Sequence, residues 1–223
     1  MRSLPSSLSV LLAALPLAAA AQDPVKVDAG HYRVLLDNAT VRVLRVTYPP
    51  GAKSVMHSHP DAILVPLSSG KVQFTLPDGK AEAARDLVEN TATYTPATTH
   101  SPANVGTTRI EGILVEFKAK SPGTATLPNS RPGMQTLTLA EGPRAVAIKA
   151  TTGPDFREPA GSRHEFDQVV IALGGSSLSL SVEGKPPVTS WARGDVRFIG
   201  RGVKHESSNA GGQPADFVIV AVR

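Results

Sequence analysis

The second half of this chain repeats distinctive residues of the first half at a fixed distance. Four of them return 105 positions later: His59 as His164, Gly70 as Gly175, His100 as His205 and Asn104 as Asn209. Self-similarity at a constant period is the signature of a duplicated structural unit. The sequence therefore predicts two tandem copies of one domain. The copies differ in their histidines, since the first reads His57-Ser58-His59 and the second reads Ser162-Arg163-His164.

Residues 1–21 have the composition of a secretory signal peptide. Arg2 provides the positive start, residues 10–18 are apolar, and three alanines at 19–21 form a small-residue cleavage site. We expect this segment to be cleaved, which predicts a periplasmic or secreted protein. The apolar run is shorter than the ~20 residues that a membrane-spanning helix requires. We therefore expect no stable membrane span after cleavage.

The rest of the chain reads as strands separated by turns. Val72, Phe74 and Leu76 alternate with polar or small residues ahead of the turn sequence Pro77-Asp78-Gly79, which is typical of a β-hairpin. Glycine and proline number 19 each and interrupt the apolar runs at short intervals, as in β-sandwiches and barrels. These patterns predict an all-β protein.

One segment without apolar periodicity separates the two copies. Residues 119–133 contain three prolines and no alternation of apolar and polar residues, which is typical of a linker. The predicted organisation is a signal peptide at 1–21, a first domain at 22–118, the linker at 119–133 and a second domain at 134–223.

Composition excludes several classes of chemistry. The chain has no cysteine, so disulfides, thiolate metal ligands and cysteine nucleophiles are ruled out. The formal net charge is +4, and Trp, Tyr and Phe number only 1, 3 and 6. Because the basic residues are scattered singly and aromatic residues are few, we expect no nucleic-acid partner. The sequence also lacks a nucleophile elbow, a phosphate-binding loop and a dinucleotide fingerprint.

Three histidines of the first copy are the candidate metal ligands. In a strand, residues i and i+2 point to the same face, so His57 and His59 project side by side. His100 follows in a turn-rich segment, and a hairpin could return it beside them. A histidine pair on a strand is also compatible with a surface position or with ordinary hydrogen bonding. The repetition of the arrangement in the second half favours a metal site.

These residues resemble the motifs of the cupin superfamily. The first cupin motif is a glycine, His-x-His, a glutamate and a glycine, and its counterparts here are Gly51, His57, His59 and Gly70, with Ile63 at the glutamate position. The second motif is matched by Pro96, His100 and Asn104, with threonine in place of its glycine. In the second copy Gly194, Gly202, His205 and Asn209 fit the second motif, while the first motif retains His164 but has Ser162 and Gln168 for its first histidine and its glutamate.

The resemblance implies a bicupin, that is, two tandem cupin-type antiparallel β-barrels of the jelly-roll-like kind. It implies that His57, His59 and His100 ligate a divalent metal in the first barrel, with Ile63 forming an apolar wall of that site. The second barrel is expected to be degenerate, with His164, Gln168 and His205 as its depleted site. Tyr94 is a candidate catalytic hydrogen-bond donor in the first pocket.

The function implied by this resemblance is an exported metalloprotein. Three-histidine sites occur among cupin dioxygenases, so an oxidoreductase acting on a small organic substrate is the first hypothesis. Imidazole ligands suit iron, zinc, manganese, copper and nickel, with iron(II) or zinc preferred here, and zinc would move the reaction to hydrolysis or elimination. A module that binds a metal or small ligand without turnover, and a scaffold with packed or solvated histidines, are the alternatives. Exposed barrel edges commonly pair with a second copy, and a homodimer is one assembly that the sequence allows.

Overall fold

The computed structural model describes residues 22–118, 131–209 and 211–223. The predicted signal peptide at 1–21 and residues 119–130 of the predicted linker lie outside these ranges. The described chain contains one short helix, α1 (Pro24–Val27), and sixteen β-strands. Among the described residues, no helix has the length and apolar character that crossing a membrane requires. The predicted all-β fold class is confirmed.

The first half of the chain forms two antiparallel sheets. Its strands are β1 (Tyr32–Asp37), β2 (Val41–Tyr48), β3 (His57–His59), β4 (Ala62–Pro66), β5 (Gly70–Thr75), β6 (Arg85–Leu87), β7 (Thr93–Thr95), β8 (Thr98–Asn104) and β9 (Ile110–Phe117). The larger sheet has five strands in the order β1-β2-β9-β4-β7, and the smaller has four in the order β3-β8-β5-β6.

The second half forms a similar pair of antiparallel sheets. Its strands are β10 (Met134–Glu141), β11 (Ala145–Thr152), β12 (Asp167–Ala172), β13 (Leu178–Val182), β14 (Val196–Ile199), β15 (His205–Asn209) and β16 (Ala215–Val222). Five of them form a sheet in the order β10-β11-β16-β12-β14, while β13 pairs with β15.

Strand pairing is equivalent in the two halves at the positions that matter for the site. His57 lies opposite His100 in the β3–β8 pair, and Ser162 bridges to His205 in the same antiparallel sense. In the neighbouring strands, Val72 pairs with Asn104 and Leu178 pairs with Asn209. The second half therefore presents the same backbone frame around its histidines as the first.

The two large sheets share one core. Successive side chains of a strand point to opposite faces, and one face of β2, β4 and β9 packs against the matching face of β11, β12 and β16. The residues of this shared core are at most 4% exposed: Val41, Val43, Ile63, Val65, Leu67, Ile113, Val115, Phe117, Ala145, Ala147, Val169, Ile171, Leu173, Val218, Val220 and Val222. Each buried Val or Ile contributes about 1.5–3 kcal/mol. The opposite face of the first large sheet is left to line a cavity.

Polar contacts also join the halves. The Arg45 guanidinium donates to the carbonyl oxygen of Gly194 at 3.0 Å, and the Thr40 hydroxyl donates to the Asp167 carboxylate at 3.1 Å. These bonds flank the shared core and fix one large sheet against the other.

Candidate metal centre

The structure brings the three predicted histidines of the first half together. His57 and His59 lie on β3, and the antiparallel register of β3 and β8 places His100 directly opposite His57. The ring centroids are 4.8 Å apart for His57 and His59, 5.3 Å for His57 and His100, and 5.5 Å for His59 and His100. One nitrogen from each ring lies within 4.8 Å of the others. The fold thus produces the convergence that the sequence spacing predicted.

Hydrogen bonds orient two of these rings. His57 Nδ1 is 2.8 Å from the carbonyl oxygen of Val55, and a carbonyl only accepts, so Nδ1 carries the proton and Nε2 keeps its lone pair. His59 Nδ1 donates in the same way to Glu116 Oε1 at 2.7 Å, which leaves its Nε2 lone pair free for a cation. Metal-ligating histidines almost always make such a bond with the ring nitrogen that does not bind the metal. The ring orientations therefore fit a metal site.

Glu116 contacts the histidine cluster and was not predicted from the sequence. It lies on β9 and is 1% exposed, and its second oxygen accepts a bond from Arg42 Nε at 2.5 Å. Arg42 in turn pairs with Asp23 at 2.8 Å. This buried chain of charges holds the carboxylate against His59. The signal in the sequence was a lone glutamate in the otherwise uncharged run Gly112-Ile113-Leu114-Val115-Glu116-Phe117.

A pair of buried tyrosines borders the third side of the cluster. The Tyr48 hydroxyl donates to the Tyr32 hydroxyl at 2.9 Å, and Tyr32 donates its own proton to His57 Nε2 at 3.0 Å. Burial raises the pKa of Tyr32 well above its usual value, so the hydroxyl is protonated at neutral pH. The sequence reading gave Tyr32 no role in the site, because it lies 25 residues before His57.

Two of the three imidazoles have a lowered pKa. Burial lowers the pKa of His57, and burial together with the neighbouring His59 and His57 lowers the pKa of His100 from 6.5 to about 3. The ring of Phe74 stacks on His100 with centroids 4.7 Å apart, which contributes to this burial. Neutral imidazole is the form that ligates metals, so His57 and His100 are competent ligands near pH 7.

His59 and His100 line an apolar cavity of about 100 Å³ between the two sheets of the first half. The side chains that line it are Tyr32, Val46, Tyr48, His59, Ala62, Leu64, Pro66, Val72, Phe74, Leu87, Thr95, His100, Pro102, Ile110, Glu111 and Leu114, with Gly112. A few polar groups in an apolar concavity are typical of small-molecule sites. The cavity fits a small organic ligand with one end at the histidines.

Two predicted residues lie elsewhere. Ile63 faces the shared core rather than the cavity, so the expectation that it forms a wall of the site is wrong. Its neighbours Ala62 and Leu64 line the cavity instead. Tyr94 donates its hydroxyl to Asp61 at 2.9 Å and is not among the residues lining the cavity. The catalytic role of Tyr94 stays a prediction, and the function proposed below does not use it.

In the second half, the structure groups His164 and His205 and adds a carboxylate that was not predicted from the sequence. The two rings lie 4.9 Å apart, and the Glu158 carboxylate completes a cluster in which the candidate ligand atoms lie within 4.8 Å of one another. Burial and the neighbouring His205 lower the pKa of His164 to about 4. Gln168, the other predicted residue, is 4% exposed and lines the adjoining cavity of about 90 Å³.

Solved structures match this fold at low sequence identity. AerE from Microcystis aeruginosa has a TM-score of 0.63 at 15% identity, covering 86% of this chain and 97% of its own. A salicylate 1,2-dioxygenase from Pseudaminobacter salicylatoxidans has a TM-score of 0.62 at 10% sequence identity, and the match covers 85% of this chain and 75% of its own. A cupin 2 conserved barrel domain protein from Leptotrichia buccalis has a TM-score of 0.56 at 10% identity, and the match covers 86% of this chain and 88% of its own. No protein-family model and no curated protein matches the sequence. The chain has the cupin fold.

Proposed function

We propose that this chain is an exported bicupin metalloprotein whose first barrel binds a divalent ion through His57, His59 and His100 and oxidises a small organic molecule with dioxygen. The observation that carries the proposal is the convergence of three imidazoles, two buried and one half-buried, beside an apolar cavity. The Nδ1 hydrogen bonds of His57 and His59 leave Nε2 as the nitrogen that would bind an ion, which at His57 displaces the bond from the Tyr32 hydroxyl. The donor set fits a first-row divalent metal.

A redox-active ion such as iron(II) would supply the electron transfer that oxidation by dioxygen requires. The chain's own residues supply position and charge. Glu116 fixes the ring of His59, and Tyr32 presents a protonated hydroxyl at His57, where it can donate a hydrogen bond to a bound oxygen-containing group. The apolar lining excludes water and strengthens both interactions.

The charges around the first cavity favour an acidic substrate. Imidazole ligands bind an ion in their neutral form, and the Glu116 carboxylate behind His59 is paired with Arg42, so most of the charge of the ion remains to attract an anionic group. Glu111 is the carboxylate among the described lining residues, and it lies away from the histidines on β9. The dioxygenase with the same fold acts on salicylate, and one of its structures contains gentisate adducts. We therefore name small aromatic or unsaturated carboxylic acids as the substrate class.

A second candidate function is binding without turnover. The hydroxyls of Tyr32 and Ser54 contact His57, at 3.0 Å and 3.2 Å, and the cavity otherwise offers few groups for acid–base chemistry. A periplasmic carrier of a metal or small acid would need no more than this. The two functions differ in oxygen consumption, which only the enzyme would show.

The experiment uses the mature chain purified without a histidine tag. Elemental analysis identifies the native ion, and oxygen uptake is measured with iron(II) restored and a panel of aromatic hydroxy acids as substrates. We expect His59→Ala to lose the ion of the first barrel and all uptake. His31→Ala is the matched control, because His31 pairs with Asp28 outside the trio.

The outcomes separate the alternatives. Iron with substrate-dependent uptake supports the dioxygenase, and zinc without uptake transfers support to a hydrolase, a lyase or a binding protein. Retention of the ion and of uptake in both His59→Ala and His100→Ala would contradict the three-histidine site.

A further inference from the structure

The second half contains a cluster of two histidines and a carboxylate that face one another. His164 Nε2 lies 3.8 Å from Glu158 Oε1, and His205 Nε2 lies 3.6 Å from Glu158 Oε2. The side chains of Glu158, His164 and His205 are 6%, 12% and 3% exposed. The sequence reading expected a depleted site here, because Ser162 replaces the first histidine of the motif.

The hydrogen bond of His205 shows which atom faces the carboxylate. Its Nδ1 lies 3.1 Å from the carbonyl oxygen of Val203, and a carbonyl only accepts, so Nδ1 is the donor of that bond. Nε2 is therefore the ring nitrogen that faces Glu158 Oε2, at 3.6 Å. This separation is longer than a hydrogen bond and fits two ligand atoms on one divalent ion.

Glu158 takes the position that Ser162 vacates. The Ser162 hydroxyl donates to the Pro159 carbonyl at 2.7 Å, directed into its own turn. The backbone of Glu158 pairs with Ser207 instead, since its N–H donates to the Ser207 carbonyl at 2.7 Å. This pairing brings the carboxylate to the side of β15 where His205 lies.

We propose that Glu158, His164 and His205 hold a second divalent ion in the C-terminal half, independent of the three-histidine site. Two histidines and one carboxylate are a ligand set suited to iron(II) and manganese(II), and three protein ligands leave further positions open. The adjoining cavity of about 90 Å³ is largely apolar, with the Gln168 amide among its polar groups. A small organic ligand fits these open positions.

Arg131 offers the competing explanation for the same carboxylate. Its guanidinium contacts Glu158 Oε1, while the Ser207 hydroxyl donates to Oε2 at 2.9 Å. Each carboxylate oxygen has two lone pairs, so both contacts leave a lone pair on Oε1 and Oε2 for an ion. If Arg131 and Glu158 formed only a structural ion pair, no metal would bind here and Arg131 would be the residue that matters.

The test is a titration of the metal-depleted mature chain with manganese(II). The free ion is measured by its electron paramagnetic resonance signal, which gives the number of ions bound. We expect two ions per wild-type chain and one in Glu158→Gln and in His205→Ala, with the affinity of the lost site reduced by more than about tenfold. Glu206→Gln is the matched control, because Glu206 lies beside His205 on β15 and is exposed. Arg131→Gln should keep both ions.

The results for the two sites are independent. His59→Ala should lose the other ion, so a failure of the three-histidine site leaves the Glu158 site testable. This proposal would be overturned if Glu158→Gln, with an unchanged circular dichroism spectrum, bound as many ions per chain as the wild type. Loss of the second ion on Arg131→Gln but not on Glu158→Gln would also overturn it. If Glu158→Gln does not fold, His205→Ala and Arg131→Gln decide by the same criteria.

Discussion

Replacing Glu116 by glutamine should weaken the first metal site without touching a ligand. The carboxylate accepts two bonds on separate oxygens, one from His59 Nδ1 at 2.7 Å and one from Arg42 Nε at 2.5 Å. A glutamine has a single acceptor oxygen, so it cannot accept from both donors in this way. If the oxygen stays with Arg42, the amide N–H₂ faces His59 Nδ1 and moves the ring proton to Nε2. The ligating lone pair of His59 is then lost.

The size of the effect follows from the role of Glu116 behind the ligand. Removing the partner of a metal-bound histidine costs about 10–100-fold in metal affinity, which corresponds to about 1.4–2.7 kcal/mol. The Arg42 guanidinium keeps its bond to Asp23, so this half-buried arginine is not left without a partner. We therefore expect Glu116→Gln to fold and to bind its ion within this range of weakened affinity.

The assay is competition for zinc against a chromophoric chelator in the Glu158→Gln background, so that the first site alone is titrated. Glu141→Gln is the control, since Glu141 pairs with Arg223 on the surface of the second half. An affinity of Glu116→Gln within twofold of the parent, with native circular dichroism, would show that the Glu116–His59 bond does not set the state of the ligand. The reasoning about the tautomer would then be wrong.

Three further changes test other parts of the structure. Tyr32→Phe removes a hydroxyl that competes with a cation for His57 Nε2. One hydrogen bond contributes ~0.5–1.5 kcal/mol, so the zinc affinity should rise about 2–10-fold. Weaker zinc binding would instead indicate that Tyr32 is a ligand. Gly142→Ala places a Cβ 2.3 Å from the Tyr94 ring, whereas Gly174→Ala meets nothing within 4 Å. The first should lower the free energy of unfolding by about 1–3 kcal/mol in urea titrations, and equal stability of the two variants would contradict the packing of the halves. In chelator-treated protein, the folded pKa of His100 lies near 3 rather than 6.5, so the unfolded state binds more protons and stability should fall as the pH drops below about 6.5. The slope is at most about 1.4 kcal/mol per pH unit for this group, and a His100→Gln variant with an undiminished slope would refute the assignment.

The sequence predicted the histidine trio because its geometry follows from strand periodicity. His57 and His59 share a face at spacing two, and the recurrence of His100 as His205 marked the third position. The all-β class followed equally well from alternation and from the turn residues. Each of these inferences uses a pattern that the local chain determines.

The residues behind the ligands could not be found in this way. Both faces of β9 are covered, one by the shared core and one by the cavity, so its sequence is an apolar run without alternation, and Glu116 gives no sign of the side to which it points. Ile63 was placed on the wrong face for the same reason, since Ala62, Ile63 and Leu64 are all apolar. Which face of a doubly buried strand meets the site is decided by tertiary packing.

Glu158 was not predicted from the sequence for a different reason. The motif places its first histidine at Ser162 and its glutamate at Gln168. Glu158 lies outside the named strands, next to the isolated bridge between Arg157 and Ser208 and four residues before Ser162. Its backbone N–H pairs with the Ser207 carbonyl, which brings the carboxylate to the histidines. Because Glu158 lies outside the positions of the motif, the spacing of the motif does not point to it.

The two halves share a design in which a buried glutamate, paired with an arginine, balances the charge beside the histidines. In the first half this glutamate is Glu116, which stands behind His59 and outside the ligand set. In the second half, the strand position that matches Glu116 is Ala221, which pairs with Gln168 as Glu116 pairs with Ala62. The carboxylate beside the histidines is instead that of Glu158, which faces the two rings. A set of neutral ligands does not neutralise the charge of the ion, which can then attract an anionic substrate. A carboxylate ligand neutralises part of that charge and adds a hard oxygen donor. If Glu158 is a ligand as proposed, the second site should favour harder ions more than the three-histidine site does, because its carboxylate lies in front of the rings and not behind them.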